Sequence, residues 1–391
     1  MLDVRRIGLV AALLLAPPMG AAAAADFAVE DRELPGPVAK VALRSATIRM
    51  TGVIGAADSS KLRTILVRLT QRTREADALL PMATAELSSI GGDVVEGMRI
   101  GALLREFAVA TVVKRGDQCL SACALAFLGG SEPDGEGGRR TSRALEPGAD
   151  LAFHNIGLNA QALSSRTPEG AVVESFNVAR LGAAAIVQYA ADMGVPAGFV
   201  ARLLAQPSDQ LLHVATAGDL ADLEICPAEA IAPALPVERQ AVNVCNNGMN
   251  WDRAPAAGQV RSVAANEAML RLLTHVYRNL ETLPSAQRYA AQLKAVIESR
   301  DRRLIASTYD ALRGSGAPLP VLESSTFVVG GYSAGYYRME CVVSLSNGRL
   351  GTFDMVIAGP KGFASPVRRG PAACPWLLLY DRRDVVSPPR S

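Results

Sequence analysis

The sequence predicts an α/β protein, a layered domain of alternating strands and helices followed by a smaller α+β module. Three observations lead there. Two stretches with apolar residues at helical spacing, Leu62-Ile65-Leu66-Leu69 and Ile100-Leu103-Leu104-Phe107, each follow a strand-like run. Val109–Val113 is a short apolar, β-branched run of the kind buried on both faces of a parallel sheet. Gly91-Gly92 stands where a strand must turn into a helix.

In order along the chain, Ala46–Ile54 alternates as a strand, and Asp58 or Ser59 can cap the helix that follows. Leu79–Ile90 holds the next strand, and Asp93 can cap the helix after the glycine pair. Ala122–Leu128 is a compact apolar helix closed by Gly129-Gly130. Ser131–Gly138 is polar and Gly-rich and is expected to be a mobile loop. Leu151–His154 is a further strand and Val172–Met193 a long helix. Beyond Cys245 the character changes. Val260–Arg313 carries two or three amphipathic helices, and Thr326–Tyr380 is strand-like, with a hairpin signal at Asn347-Gly348. The expected division is residues 1–25, 26–245 and 255–391.

Residues 1–25 look like an export signal. Arg5 and Arg6 precede the apolar run Ile7–Ala16, and Ala21–Ala25 supplies small residues for cleavage near Ala25. The run is far shorter than the ~20 residues that span a bilayer, and Pro17-Pro18 ends it. The expectation is a periplasmic protein with no membrane span in the mature chain. A net charge of +2 with interleaved signs gives no reason to expect nucleic acid as a partner. Six cysteines in an exported chain favour disulfides. Local closure would join Cys226 with Cys245 and Cys341 with Cys374, leaving Cys119 and Cys123 either paired or reduced. No clustered His or Cys-x-x-Cys supports a metal, and no cofactor is expected.

Candidate chemistry centres on Ser88–Gly130 and on His154, one of only three histidines. Ser121 opens a helix, where a serine is commonly an N-cap; activated by a neighbouring base, it would instead be a nucleophile. Gly91-Gly92 reads as a turn requiring positive φ, or as a gap that lets a carbonyl approach backbone N–H groups. A histidine such as His154 in an apolar strand is more often a satisfied core residue than a base. His213 and His275 fall in helical patterns. Asp209 would by default cap the helix that follows it.

The order of these residues resembles a known family. Ser88-Ser-Ile-Gly91-Gly92-Asp-Val-Val-Glu-Gly97 and Cys119-Leu-Ser121-Ala-Cys123 are similar to the glycine-pair and nucleophile elements of the Clp protease proteolytic subunit (ClpP) and its relatives. Arg143 to His154 and Gln206 to Asp222 resemble two further segments. The resemblance covers Thr51–Asp222 and implies the ClpP/crotonase fold, a layered β-α superhelix. It implies a serine peptidase acting on peptide or protein substrates, with Ser121 as nucleophile, His154 as base and Asp209 orienting the base. The N–H groups of Gly92 and Ala122 would form an oxyanion hole, and the chain would self-associate. Ile90 departs from the family's proline, and cysteines flank the serine.

Two rivals use the same residues differently. A catalytically inactive binding or assembly scaffold would follow if a Cys119–Cys123 bridge pulled Ser121 out of line and the C-terminal module docked onto a partner. A serine–lysine enzyme would need Lys114, the nearest lysine, which precedes the serine on a strand. An acyl-CoA reaction does not suit an exported chain.

Overall fold

The computed structural model describes residues 24–35, 42–72, 80–154, 168–207, 209–229, 233–249, 259–334, 336–346, 352–360, 362–364 and 374–386. The chain divides into two compact units, residues 1–229 with 385–391, and residues 230–384. The division falls at Glu229, ahead of Cys245. Most of the expected export signal and the Asn347-Gly348 turn lie outside the described residues.

The first unit is mixed α/β. Its strands are β1 (Asp26–Pro35), β2 (Ala42–Thr51), β3 (Ala83–Ser88), β4 (Val109–Val113), β5 (Gln118–Leu120), β6 (Ser131–Pro133), β7 (Arg139–Thr141), β8 (Arg143–Leu145), β9 (Asp150–Phe153), β10 (Leu212–His213) and β11 (Ile225–Pro227). Its helices are α1 (Asp58–Thr70), α2 (Val94–Glu106), α3 (Ala122–Phe127), α4 (Pro168–Asp192), α5 (Ala197–Ala205) and α6 (Ala217–Asp222). A six-stranded sheet runs β1-β2-β3-β4-β8-β11, parallel except for β1, which pairs antiparallel with β2 at the edge. A second sheet of three strands runs β10-β9-β5.

Burial follows the apolar patterns. Leu62, Leu66 and Leu69 of α1 and Ile100, Leu103 and Leu104 of α2 are buried, and β4 is buried throughout. Asp93 caps α2, its side chain accepting from the Glu96 N–H at 2.9 Å, a contact worth about 1 kcal/mol. The cap expected for α1 is different. Ala57 holds the N-cap position in the left-handed region, and Asp58 is the first helical residue. Ser131–Gly138 is ordered rather than a loose loop. β6 and β7 form a hairpin, and the Asp134 carboxylate accepts from the N–H groups of Glu136 and Gly138 across its tip.

Arg143 joins three helix ends. Its guanidinium is buried and donates to the carbonyls of Leu128, Met193 and Leu223, which lie at or just past the C-termini of α3, α4 and α6. Those carbonyls lack intrahelical partners and carry the negative end of each helix dipole. Removal from water pulls the Arg143 pKa down to about 10, so the group remains charged at neutral pH.

The second unit contains α7 (Val237–Met249), β12 (Val260–Val263), α8 (Ala265–Arg278), α9 (Ala290–Ser299), α10 (Arg302–Gly314), β13 (Ser325–Ala334), β14 (Tyr337–Leu345), β15 (Phe353–Gly359) and β16 (Gly362–Ala364). Its five strands form one antiparallel sheet in chain order. Leu272, Val276, Leu293, Val296, Ile305 and Leu312 of the three helices pack with Val328, Val342 and Val356 of the sheet.

All six cysteines are disulfide-bonded, but neither expected local pairing is present. Cys245 of α7 is joined to Cys341 of β14, and Cys119 to Cys123. Cys226 and Cys374 are also disulfide-bonded. Proximity in the fold, not in sequence, decides. Cys341 alternates with Val342 and so lies on the sheet face opposite the α8–α10 core. α7 packs there, its Asn243 and Asn247 donating to the carbonyls of Leu379, Leu378 and Tyr380.

Candidate active site

The site is built where the six-stranded and three-stranded sheets of the first unit exchange chain. After β3, Ser89 leaves the large sheet and bridges Cys119 of β5. Its N–H donates to the Gln118 carbonyl at 2.8 Å, and its carbonyl accepts from Leu120 at 3.0 Å. The chain then passes through Gly91-Gly92, wedged between Ile54 on one side and Ser121 on the other. Both glycines have positive φ, 102° and 140°. A Cβ on Gly92 would lie 2.1 Å from the Ile54 carbonyl oxygen. A Cβ on Gly91 would lie 2.8 Å from both the Leu120 carbonyl oxygen and the Ser121 Cβ. Only glycine satisfies both the dihedrals and the space. Gly97 of α2 serves the same approach, since a Cβ there would fall 2.4 Å from the Ala122 carbonyl oxygen.

The Ser121 N–H donates to the Ala152 carbonyl at 2.9 Å, fastening the serine to β9. Its φ of 57° with ψ of −120° is a conformation that costs an L-residue about 1–3 kcal/mol. Ser121 holds the N-cap position of α3, yet its side chain makes no capping hydrogen bond. The hydroxyl turns instead to His154, with Oγ 2.6 Å from Nε2. With Nε2 unprotonated, the hydroxyl donates to it, the geometry a general base needs to take that proton. His154 lies one residue beyond β9, and the pairing of β5 with β9, Leu120 opposite Ala152, brings the serine and histidine to neighbouring strand ends. Both residues are half-buried, and Gly92 is exposed beside them.

Gly92 and Ala122 supply two N–H groups at this corner. In the Ile54–Gly92 bridge, Ile54 bonds to the Gly91 carbonyl and the Asp93 N–H, so the ladder leaves the N–H of Gly92 unused. Ala122 is the first residue of α3, whose N–H has no intrahelical acceptor. Among the described residues, neither N–H forms a hydrogen bond. Ile90, 59% exposed, presents an apolar side chain next to the glycine pair.

Asp209 is exposed in the turn after α5, and no hydrogen bond joins it to His154 among the described residues. Two nearby carboxylates are committed elsewhere. Asp219 completes the Thr216 capping box of α6 and pairs with Arg202 at 2.6 Å. Asp150 is 2.8 Å from Nδ1 of His213, which lies in β10 rather than in a helix. Lys114 is paired with Glu146 at 2.5 Å, and hydrogen bonds from the Arg115 N–H and then the Lys114 ammonium hold the Glu146 carboxyl below its ordinary range.

The disulfide Cys119–Cys123 straddles the serine, tying the strand before it to the first turn of the helix after it. Both cysteines are fully buried. The spacing in sequence left this bridge undecided, and nothing there indicated the Asp150–His213 pair or the role of Arg143. Among the described residues, no cluster of three His, Cys, Asp or Glu side chains could hold a metal, and no helix is long and apolar enough to cross a membrane.

No family model and no curated protein sequence matches the chain. Solved structures that match include a serine-to-alanine mutant of the 1510-N membrane-bound stomatin-specific protease. It is 14% identical over 42% of this chain and 70% of its own, with a TM-score of 0.27. At that similarity no residue correspondence is drawn from it.

Proposed function

We propose that the first unit is an exported serine hydrolase of the ClpP/crotonase fold that cleaves peptide bonds. The observation that carries this reading is the 2.6 Å contact between the Ser121 Oγ and the His154 Nε2, made by a serine that could have capped its helix and does not. His154 takes the hydroxyl proton as Oγ attacks the carbonyl carbon. The carbonyl oxygen becomes an oxyanion that the N–H groups of Gly92 and Ala122 can receive. His154 then gives the proton to the leaving amine, and water releases the acyl group by the same steps in reverse. The reading rests on this serine–histidine pair and does not require Asp209. The mostly parallel sheet, joined beyond the end of β3 to a second small sheet by the Ser89–Cys119 bridge, is in keeping with the fold. Self-association and a periplasmic location go with the same proposal.

A fluorophosphonate probe tests it. It should label one site in the native protein, with the modified peptide containing Ser121, and Ser121→Ala should abolish labelling. His154→Ala should slow labelling about a thousandfold or more, whereas Lys114→Ala should leave it unchanged. A folded native protein that takes up no probe would leave the inactive scaffold as the better account.

A further inference from the structure

Ala25 and Asp58 meet inside the first unit, 3% and 0% exposed. The Ala25 N–H donates to Oδ2 of Asp58 at 2.9 Å, and the Gly55 N–H donates to the same oxygen at 2.8 Å. Oδ1 accepts from the Lys61 ammonium at 2.8 Å, but that lysine side chain is 49% exposed. A fully buried carboxylate held by two neutral amides and one half-solvated cation is costly to desolvate. A positive charge at the Ala25 nitrogen would offset that cost.

The sequence offers such a charge. Small residues at the third and first positions before a bond suit signal peptidase, and the run Ala21–Ala25 satisfies this for cleavage before Ala24, Ala25 or Asp26 alike. The structure separates the three. A cut after Ala25 removes a donor to Asp58 and a buried residue. A cut before Ala24 leaves a neutral amide at Ala25. A cut between Ala24 and Ala25 gives up the bridge of the exposed Ala24 to Val53 but turns the Ala25 amide nitrogen into an α-ammonium beside the Asp58 carboxylate.

We infer that the chain is processed at the Ala24–Ala25 bond and that the new N-terminus forms a buried ion pair with Asp58. Water adds across the amide under a signal peptidase. The C–N bond breaks, Ala24 keeps the carbonyl carbon as a carboxylate, and the Ala25 nitrogen is protonated to an ammonium. Gly55, bonded to the same carboxylate oxygen, adjoins Ile54, which holds Gly91 and Asp93 by 2.8 and 2.9 Å backbone bonds. Processing thus braces the strand carrying the glycine pair. The inference rests on export and stands whether or not Ser121 is a nucleophile.

The test is secretion of the full chain, tagged at its C-terminus, followed by intact mass and N-terminal sequencing of the periplasmic product. The expected first residue is Ala25. A product beginning at Ala24, Asp26 or later, or an uncut chain, would overturn the assignment. The ion pair is read separately by comparing chains made to begin at Ala25 and at Ala24, the latter keeping the N–H donor without the charge. The Ala25 chain should melt higher by about 3 °C or more, and Asp58→Asn should remove that difference. Equal midpoints in the two chains, or a difference that survives Asp58→Asn, would refute the ion pair.

Discussion

Replacing Gly91 with alanine isolates the contact between the glycine pair and Ser121, the proposed nucleophile. The new Cβ would sit 2.8 Å from the Leu120 oxygen, 2.8 Å from the Ser121 Cβ and 3.1 Å from the Ala122 nitrogen. All three neighbours belong to the turn that carries the serine, and two are backbone atoms, so relief must move the backbone or Ser121 itself. A φ of 102° adds strain of about 1–3 kcal/mol, and crowding of a packed interior costs about 1–3 kcal/mol more. A displacement approaching 1 Å at a reacting atom costs on the order of a hundredfold in rate. Gly91→Ala is therefore expected to slow fluorophosphonate labelling about a hundredfold in protein whose circular dichroism remains native. Gly135→Ala is the control. That glycine has a comparable φ of 85° but nothing within 4 Å of the added atom, and it lies at the tip of the β6–β7 hairpin. It shares the dihedral strain without touching Ser121 and should label at the native rate. Native labelling of Gly91→Ala, or equal slowing in both variants, would refute the reasoning.

Three other outcomes follow from contacts already described. Asp209→Asn should reduce labelling less than about tenfold, because the carboxylate is exposed; a loss as large as that of His154→Ala would show that it orients the base. Arg143→Met should lower the thermal midpoint of the first unit by several degrees, since three helix-end carbonyls lose their donor and each unsatisfied group costs about 1–3 kcal/mol. Removing the Cys245–Cys341 bond, which closes a 96-residue separation, should destabilise the second unit by about 4–5 kcal/mol. Removing Cys119–Cys123, with a separation of four, should cost about 2 kcal/mol; calorimetry of the two cysteine-to-serine pairs distinguishes these.

Much of the first unit was legible because its strands and helices carry their own periodicity. Val109–Val113 and the α1 and α2 stripes are local patterns, and the burial of Leu62, Leu66, Ile100 and Leu104 follows from them. Asp93 as a cap was readable for the same reason. What escaped depends on contacts between distant segments. The Cys245–Cys341 pairing is set by the packing of α7 on a sheet assembled nearly a hundred residues later. Arg143 stood in a recognisable motif, but its work, holding the ends of α3, α4 and α6, needs three helices folded around it. Ser131–Gly138 misled by composition: glycine and charge are as suitable for a tight hairpin tip as for a loose loop, and the Asp134 carboxylate decides between them. His213 misled by periodicity, since the two residues of β10 are too few to show alternation.

The same contrast bears on the serine. At the level of sequence, a cap and a nucleophile are the same residue at the same helix position, and only the direction of the hydroxyl separates them. Ser121 is held in that direction from three sides. Its N–H is fixed to Ala152, its Cβ abuts Gly91, and Cys119–Cys123 closes the chain around it. A bridge at that spacing could drag the hydroxyl away from the histidine, one of the two grounds for a scaffold. The 2.6 Å contact is made with the bridge in place. The disulfide therefore belongs with the other restraints that keep a left-handed, strained serine from relaxing into an ordinary cap. A chain with no use for the hydroxyl could have relieved that strain with glycine at position 121.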